Sequence, residues 1–114
     1  MKSIALSFIF ILLLGCSEHP DLNDKDIGQI ELDAVSILES KVIILAKLPK
    51  SINSLKPESV VIRNDGLYIT LGSSFVTEKG LFIPVNRVAD HTSIGTDPEY
   101  KRLSGNVYSY IIRG

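Results

Sequence analysis

Residues 60–71 read VVIRNDGLYITL. Two apolar, strand-prone segments flank Asn64-Asp65-Gly66, three residues that tolerate positive φ. Such a centre between two apolar arms closes a tight antiparallel hairpin. In the second arm Leu67, Ile69 and Leu71 share one side and Tyr68 and Thr70 the other. That period of two belongs to a strand with two chemically different faces. An antiparallel sheet is therefore the expected organising layer of this chain.

Toward the C-terminus the same signals continue. Gly72-Ser73-Ser74 permits a bend or bulge. Phe75-Val76-Thr77 and Leu81-Phe82-Ile83 flank Glu78-Lys79-Gly80, which predicts a second hairpin turning at 78–80. Pro84 ends that arm. The polar stretch ADHTSIGTDPEYK, residues 89–101, predicts a loop of the length at which loops carry function or lose order. Residues 106–113, NVYSYIIR, predict a closing strand with Tyr108, Tyr110 and Ile112 on one face. Val107, Ser109 and Ile111 fall on the other.

Toward the N-terminus, Ser51 to Lys56 predicts one helical turn with Ile52 and Leu55 on one side, stopped by Pro57. Residues 41–48, KVIILAKL, are short, apolar and β-branched and predict a buried strand ended by Pro49. Ile30 and Leu32 alternate with Glu31 and Asp33, which predicts another strand. The expected fold is mainly β: a small antiparallel meander sheet forming a barrel or sandwich, with at most one short helical turn.

The first residues have a different character. Ile4 to Leu14 is an unbroken run of 11 apolar or small side chains after Lys2. It contributes much of the mean hydropathy of +0.22. A membrane-spanning helix needs about 20 apolar residues, a secretory h-region roughly 7–15. The run fits the second class and ends on Leu13-Leu14-Gly15-Cys16, with the only cysteine of the 114 residues.

Leu13-Leu14-Gly15-Cys16 resembles the lipobox of bacterial lipoproteins: leucine three residues before the cysteine, a small residue directly before it, and an h-region leading in. The resemblance covers about the first 16 residues. It implies a signal peptide over 1–15 that is removed, and a thioether-linked diacylglycerol on Cys16 as the first mature residue. In Gram-negative bacteria it also implies acylation of the new amino group. Ser17, where an aspartate would retain a lipoprotein at the inner membrane, then implies the periplasmic side of the outer membrane. In a Gram-positive cell the outer face of the only membrane is implied. One acyl chain binds a bilayer reversibly and two or three hold stably, because each buried methylene contributes about 0.8 kcal/mol.

The mature chain divides into a polar tether, residues 16–27, and a single small β-rich domain, residues 28–114. Without Lys2 it carries 11 basic and 13 acidic residues. From Glu18 to Asp33 there are six acids and only Lys25 as a base, whereas residues from 34 onward carry ten bases and seven acids. With no second cysteine, no disulfide braces the domain, so core packing must hold it. No cluster of Lys and Arg marks a nucleic-acid surface, and the export signal argues against that role as well.

Patterned chemistry is sparse. His19 lies in the tether and His91 in the 89–101 loop, with no paired-histidine or paired-cysteine spacing. Asp90, His91, Asp97 and Glu99 are a set from which a loop metal site would be assembled, and oxygen-rich loops are usually solvated turns. Ser93 stands two residues from His91 without a nucleophile-elbow pattern. Gly72-Ser73-Ser74 lacks the lysine and helix of a phosphate loop. No catalytic, cofactor-binding or metal residue is assigned; Cys16 is assigned to lipidation. Tyr68, Tyr100, Tyr108, Tyr110, Phe75 and Phe82 are expected to form core and rim rather than a contact surface. The expected function is a non-catalytic binding or structural module, held to the bilayer through acylated Cys16. Its partner would be an envelope protein or peptidoglycan, with no nucleic acid. The alternative is a small envelope enzyme or enzyme inhibitor using the 89–101 loop.

Overall fold

The hairpin at residues 60–71 forms as the sequence predicts. In the computed structural model, which describes residues 22–113, β1 (Ser59–Arg63) and β2 (Gly66–Ser73) pair antiparallel from Arg63↔Gly66 to Ser59↔Thr70. Asn64 and Asp65 make the turn. Gly66 is required by close approach: a Cβ there would run into the carbonyl oxygen of Ile83. Three further strands, β3 (Glu78–Pro84), β4 (Glu99–Ser104) and β5 (Val107–Ile112), complete one antiparallel sheet of order β1-β2-β3-β5-β4. The first three strands form a meander. After β3 the chain crosses over the place taken by β5, adds β4 at the outer edge, and returns as β5 through a hairpin at Gly105-Asn106.

The fold is mainly β and antiparallel, as expected. The sheet stays open, with β1 and β4 as its edges, and does not close into a barrel. The second hairpin turns earlier than expected. Its tip is Ser74 to Thr77, closed by the Ser74 N–H donating to the Thr77 carbonyl at 2.7 Å, and Glu78-Lys79-Gly80 belongs to β3. The reason lies across the sheet. A Cβ at residue 80 would clash with the Ile69 main chain, so Gly80 serves a close strand approach and not a turn. A register shift between Thr70 and Gly72 adjusts the pairing beside it.

The largest departure is α1 (Asp24–Ser40), a 17-residue helix where the sequence suggested the end of a tether and then a strand. Its buried residues Ile27, Ile30, Ala34 and Ile37 recur every three or four positions, the spacing of one helix face. The Asn23 side chain caps it, accepting from the Asp26 N–H at 2.8 Å, and Asp24 and Asp26 complement the positive end of the helix dipole. The Ile30/Leu32 alternation has no structural meaning, because Leu32 points to solvent at 66% exposure. The helix ends on Lys41 in the left-handed region, φ 58°, with its N–H returning to the Ile37 carbonyl.

The apolar run 41–48 is also not a strand. It forms an irregular segment with a 3₁₀ turn at Leu45–Lys47. Ile43 and Leu48 pack against the core, while Val42, Ile44 and Leu45 are exposed. β-propensity records only a fit to a half-buried pleated surface, and α1 already covers the inner face of the sheet. The expected helical turn is present as α2 (Lys50–Asn53), burying Ile52.

Two cores follow from the strand period. On the helix side, Val60, Leu67, Ile69, Leu81, Ile83 and Val107 meet the buried face of α1 and Ile52. On the other side Tyr68, Phe82, Tyr108 and Tyr110 form an aromatic layer flanked by Tyr100 and Ile112. The residues sorted to opposite faces of β2 and β5 from sequence lie on those faces. Phe75 is the exception among the expected core aromatics and is fully exposed at the hairpin tip.

Candidate functional site

The aromatic layer is covered by the crossover, residues 85–98. Its rings pack closely: Tyr68 lies 4.7 Å from Phe82 and edge-on to Tyr110 at 5.1 Å, and Phe82 lies 4.9 Å from Tyr100. Buried phenols need partners, and each finds a carboxylate. Tyr68 Oη donates to Asp65 at 2.8 Å and shares a 2.8 Å bond with Tyr100 Oη. Tyr110 Oη donates to Glu78 at 2.6 Å and shares a 2.8 Å bond with Thr70. Tyr108 Oη accepts from the His91 N–H at 3.0 Å and reaches Asp90 at 3.4 Å. Arg63 lies over the Tyr68 ring at 4.5 Å.

Burial pushes the Tyr68 and Tyr110 phenols far above their ordinary range. The bonds to Tyr100 and Asp65 add to this for Tyr68, and the bond to Glu78 adds to it for Tyr110. Both phenols are protonated at neutral pH and donate to Asp65 and Glu78. The Thr92 backbone N–H, with its side chain, holds the Asp90 carboxyl below its usual value.

The structure separates the residues that the 89–101 stretch offered for chemistry. Asp90 and His91 sit near the middle of the crossover on Tyr108. The His91 Nε2 donates to the Asn86 carbonyl at 2.9 Å, and the ring stands edge-on to Phe82 and Tyr108. Asp97 and Glu99 sit where the crossover enters β4, on Arg113. Asp97 accepts from the Arg113 N–H at 2.7 Å, and Glu99 pairs with its guanidinium at 3.3 Å. Ser93 is bridged to Tyr100 through both backbone N–H groups at 2.8 Å, and its hydroxyl bonds to Thr96. Each of these side chains fastens the crossover. Among the described residues, no group of three or more His, Cys, Asp or Glu is arranged to hold a metal ion. Cys16 and His19 lie outside the described residues.

Two surface features escaped the sequence reading. One is an open groove of about 480 Å³ between α1 and α2, walled by Leu22, Ile30 and Leu55 and floored in part by Asp33 and Ser51. Ser51 Oγ donates to Asp33 at 2.6 Å. Among the described residues, no histidine lines the groove beside this pair. The other is the exposed apolar group Val42, Ile44 and Leu45, at 59%, 53% and 66% exposure. A sequence signal for it exists: residues 40–57 contain four lysines and no acid. Among the described residues, no helix is long and apolar enough to cross a membrane.

Fold and site together define a helix-backed, five-stranded antiparallel sheet whose outer aromatic face is strapped by a crossover. No protein-family model, curated protein or solved structure matches the chain.

Proposed function

We propose that this protein is a bacterial envelope lipoprotein, lipid-anchored through Cys16, that works as a small non-catalytic binding or structural module. The observation that carries this reading is Leu13-Leu14-Gly15-Cys16 at the end of an 11-residue apolar run. A thiol in that position meets the lipid-transfer machinery at the membrane surface, and Gly15 leaves the bond before it open to a peptidase. The helix cap at Asn23 follows Cys16 by seven residues, a reach of at most about 25 Å, so the anchor keeps the domain beside the bilayer. The engagement of Asp90, His91, Asp97 and Glu99 in fastening the crossover supports a role by contact rather than by turnover. The proposed partner is an envelope protein or peptidoglycan. The proposed location is the periplasmic side of the outer membrane in a Gram-negative cell, or the outer membrane face in a Gram-positive one.

Detergent phase partition of cells expressing the wild type and Cys16→Ser tests the anchor. The wild type should enter the detergent phase and the variant should not; equal partition of both contradicts it. Crosslinking in intact cells, followed by pull-down, tests the contact role. A reproducible envelope protein or wall fragment is expected, and its absence from both forms contradicts the reading.

A further inference from the structure

We infer that the segment from Lys41 to Lys56 is a second membrane contact, in which Val42, Ile44 and Leu45 enter the interface of an anionic phospholipid leaflet and the flanking lysines meet its headgroups. The inference rests on the lipid-anchor reading for its location, and on the surface of the folded domain for its chemistry.

Three observations converge. First, an apolar run that would normally be buried is on the outside. Ile43 and Leu48 hold the segment to the core, while their neighbours Val42, Ile44 and Leu45 are more than half exposed. Second, the segment itself carries charge of one sign, with Glu39 and Glu58 at its two borders and Glu58 lining the concavity shared by Leu45 and Lys56. Lys41, Lys47, Lys50 and Lys56 are all exposed, no acid occurs from residue 40 to 57, and none of the four lysines forms an ion pair among the described residues. Lys47 borders one concavity with Val42 and Ile44, and Lys56 borders the next with Leu45. Apolar side chains ringed by lysines with long aliphatic stems suit the boundary between acyl chains and anionic headgroups. Third, two of these lysines occupy costly positions. Lys41 and Lys56 have φ of 58° and 54°, where glycine or asparagine is the unstrained choice.

The placement fits a tethered domain. α1 spans about 25 Å, with the anchor leading into one end and the apolar segment leaving the other. A tether of similar reach lets the domain settle with that far end on the same leaflet. Two attachments would then fix the orientation of the domain on the leaflet.

The test places an environment-sensitive fluorophore on Leu45→Cys, and in a second protein on Val88→Cys, an exposed position on the crossover. The acylated full chain is reconstituted into phosphatidylglycerol/phosphatidylethanolamine vesicles carrying lipid-borne quenchers. At residue 45 the emission should shift to the blue and be quenched; at residue 88 it should not. Lys41→Asn, Lys47→Gln and Lys56→Asn should each lower the contact equilibrium roughly fivefold while the protein still floats with the vesicles. If the acylated protein floats but residue 45 reports water, the contact is refuted and the anchor stands. Burial of the probe only after an envelope protein fraction is added overturns the lipid assignment in favour of protein docking. If Cys16 proves unacylated, the Cys16→Ser chain with the same probe decides the matter on the same vesicles. A blue shift there retains the contact, and a water-like signal rejects it.

Discussion

Glu31, in the middle of α1, accepts a hydrogen bond from the backbone N–H of Asn106 at 3.2 Å, joining residues 75 apart in the chain. The same carboxylate pairs with Arg87 at 3.5 Å, and the Asn106 side chain donates to the Pro84 carbonyl at 3.1 Å. Helix, crossover start and β4–β5 turn are thus fastened at one point. Glu31→Ala should cost about 1–3 kcal/mol, since it leaves a largely buried N–H without its acceptor. Gly105→Ala should cost at least as much, because Gly105 has φ 56° and an added Cβ would meet the Glu31 carboxylate. Urea unfolding checks both; stability within 0.5 kcal/mol of wild type, about the scatter of neutral surface changes, would contradict the fastening.

Ile30 and Leu32 distinguish the helix from the strand that the local alternation suggests. In α1 they face opposite ways, Ile30 at 1% exposure and Leu32 in solvent. Ile30→Ala should cost about 2–5 kcal/mol and Leu32→Lys less than about 0.5 kcal/mol. A strand would place both on one face and make both costly. Thermal unfolding of the two variants decides between them.

High pH should unfold the protein through its tyrosines. The folded-state pKa values of Tyr68 and Tyr110 are raised, first by burial, above an unfolded value near 10. Stability from this source is fully present below pH 10 and is lost as pH rises beyond it, because the unfolded chain releases protons that the folded one keeps. The slope is at most about 1.4 kcal/mol per pH unit for each phenol. Phenolate absorbance should show two tyrosines titrating only with unfolding, and Tyr110→Phe should reduce the slope. Ionisation of Tyr68 or Tyr110 near pH 10 in the folded protein would contradict the network.

Lys41→Gly should stabilise the fold by about 0.5–1 kcal/mol, since it removes left-handed strain at the end of α1. If Lys41 serves the bilayer, the same change weakens vesicle contact. Denaturation of the variant and vesicle quenching of a probe at residue 45 should therefore move in opposite directions, and a variant less stable than wild type would show that Lys41 makes a compensating contact in the folded domain.

The sheet was legible where its signals are local. Asn64-Asp65-Gly66 sets a turn within four residues, and the faces of β2 and β5 follow from alternation alone. The helix was hidden because a four-residue window over Ile30 to Asp33 alternates by chance, while its real period extends from Ile27 to Ile37. KVIILAKL misled because propensity does not say whether a neighbouring strand is available. Strand order was out of reach, since β5 enters between β3 and β4 only through long-range pairing. The roles of Asp90, His91, Asp97 and Glu99 were equally non-local, being set by Tyr108 and by Arg113. Cys16 rests on sequence order alone.

The central claim is the anchor on Cys16, and intact-mass spectrometry of the protein extracted from its own membranes tests it most directly. The account predicts a chain beginning at Cys16 with the added mass of a diacylglycerol, with or without a further acyl group. A free thiol on Cys16, or a chain that retains residues 1–15, would contradict it.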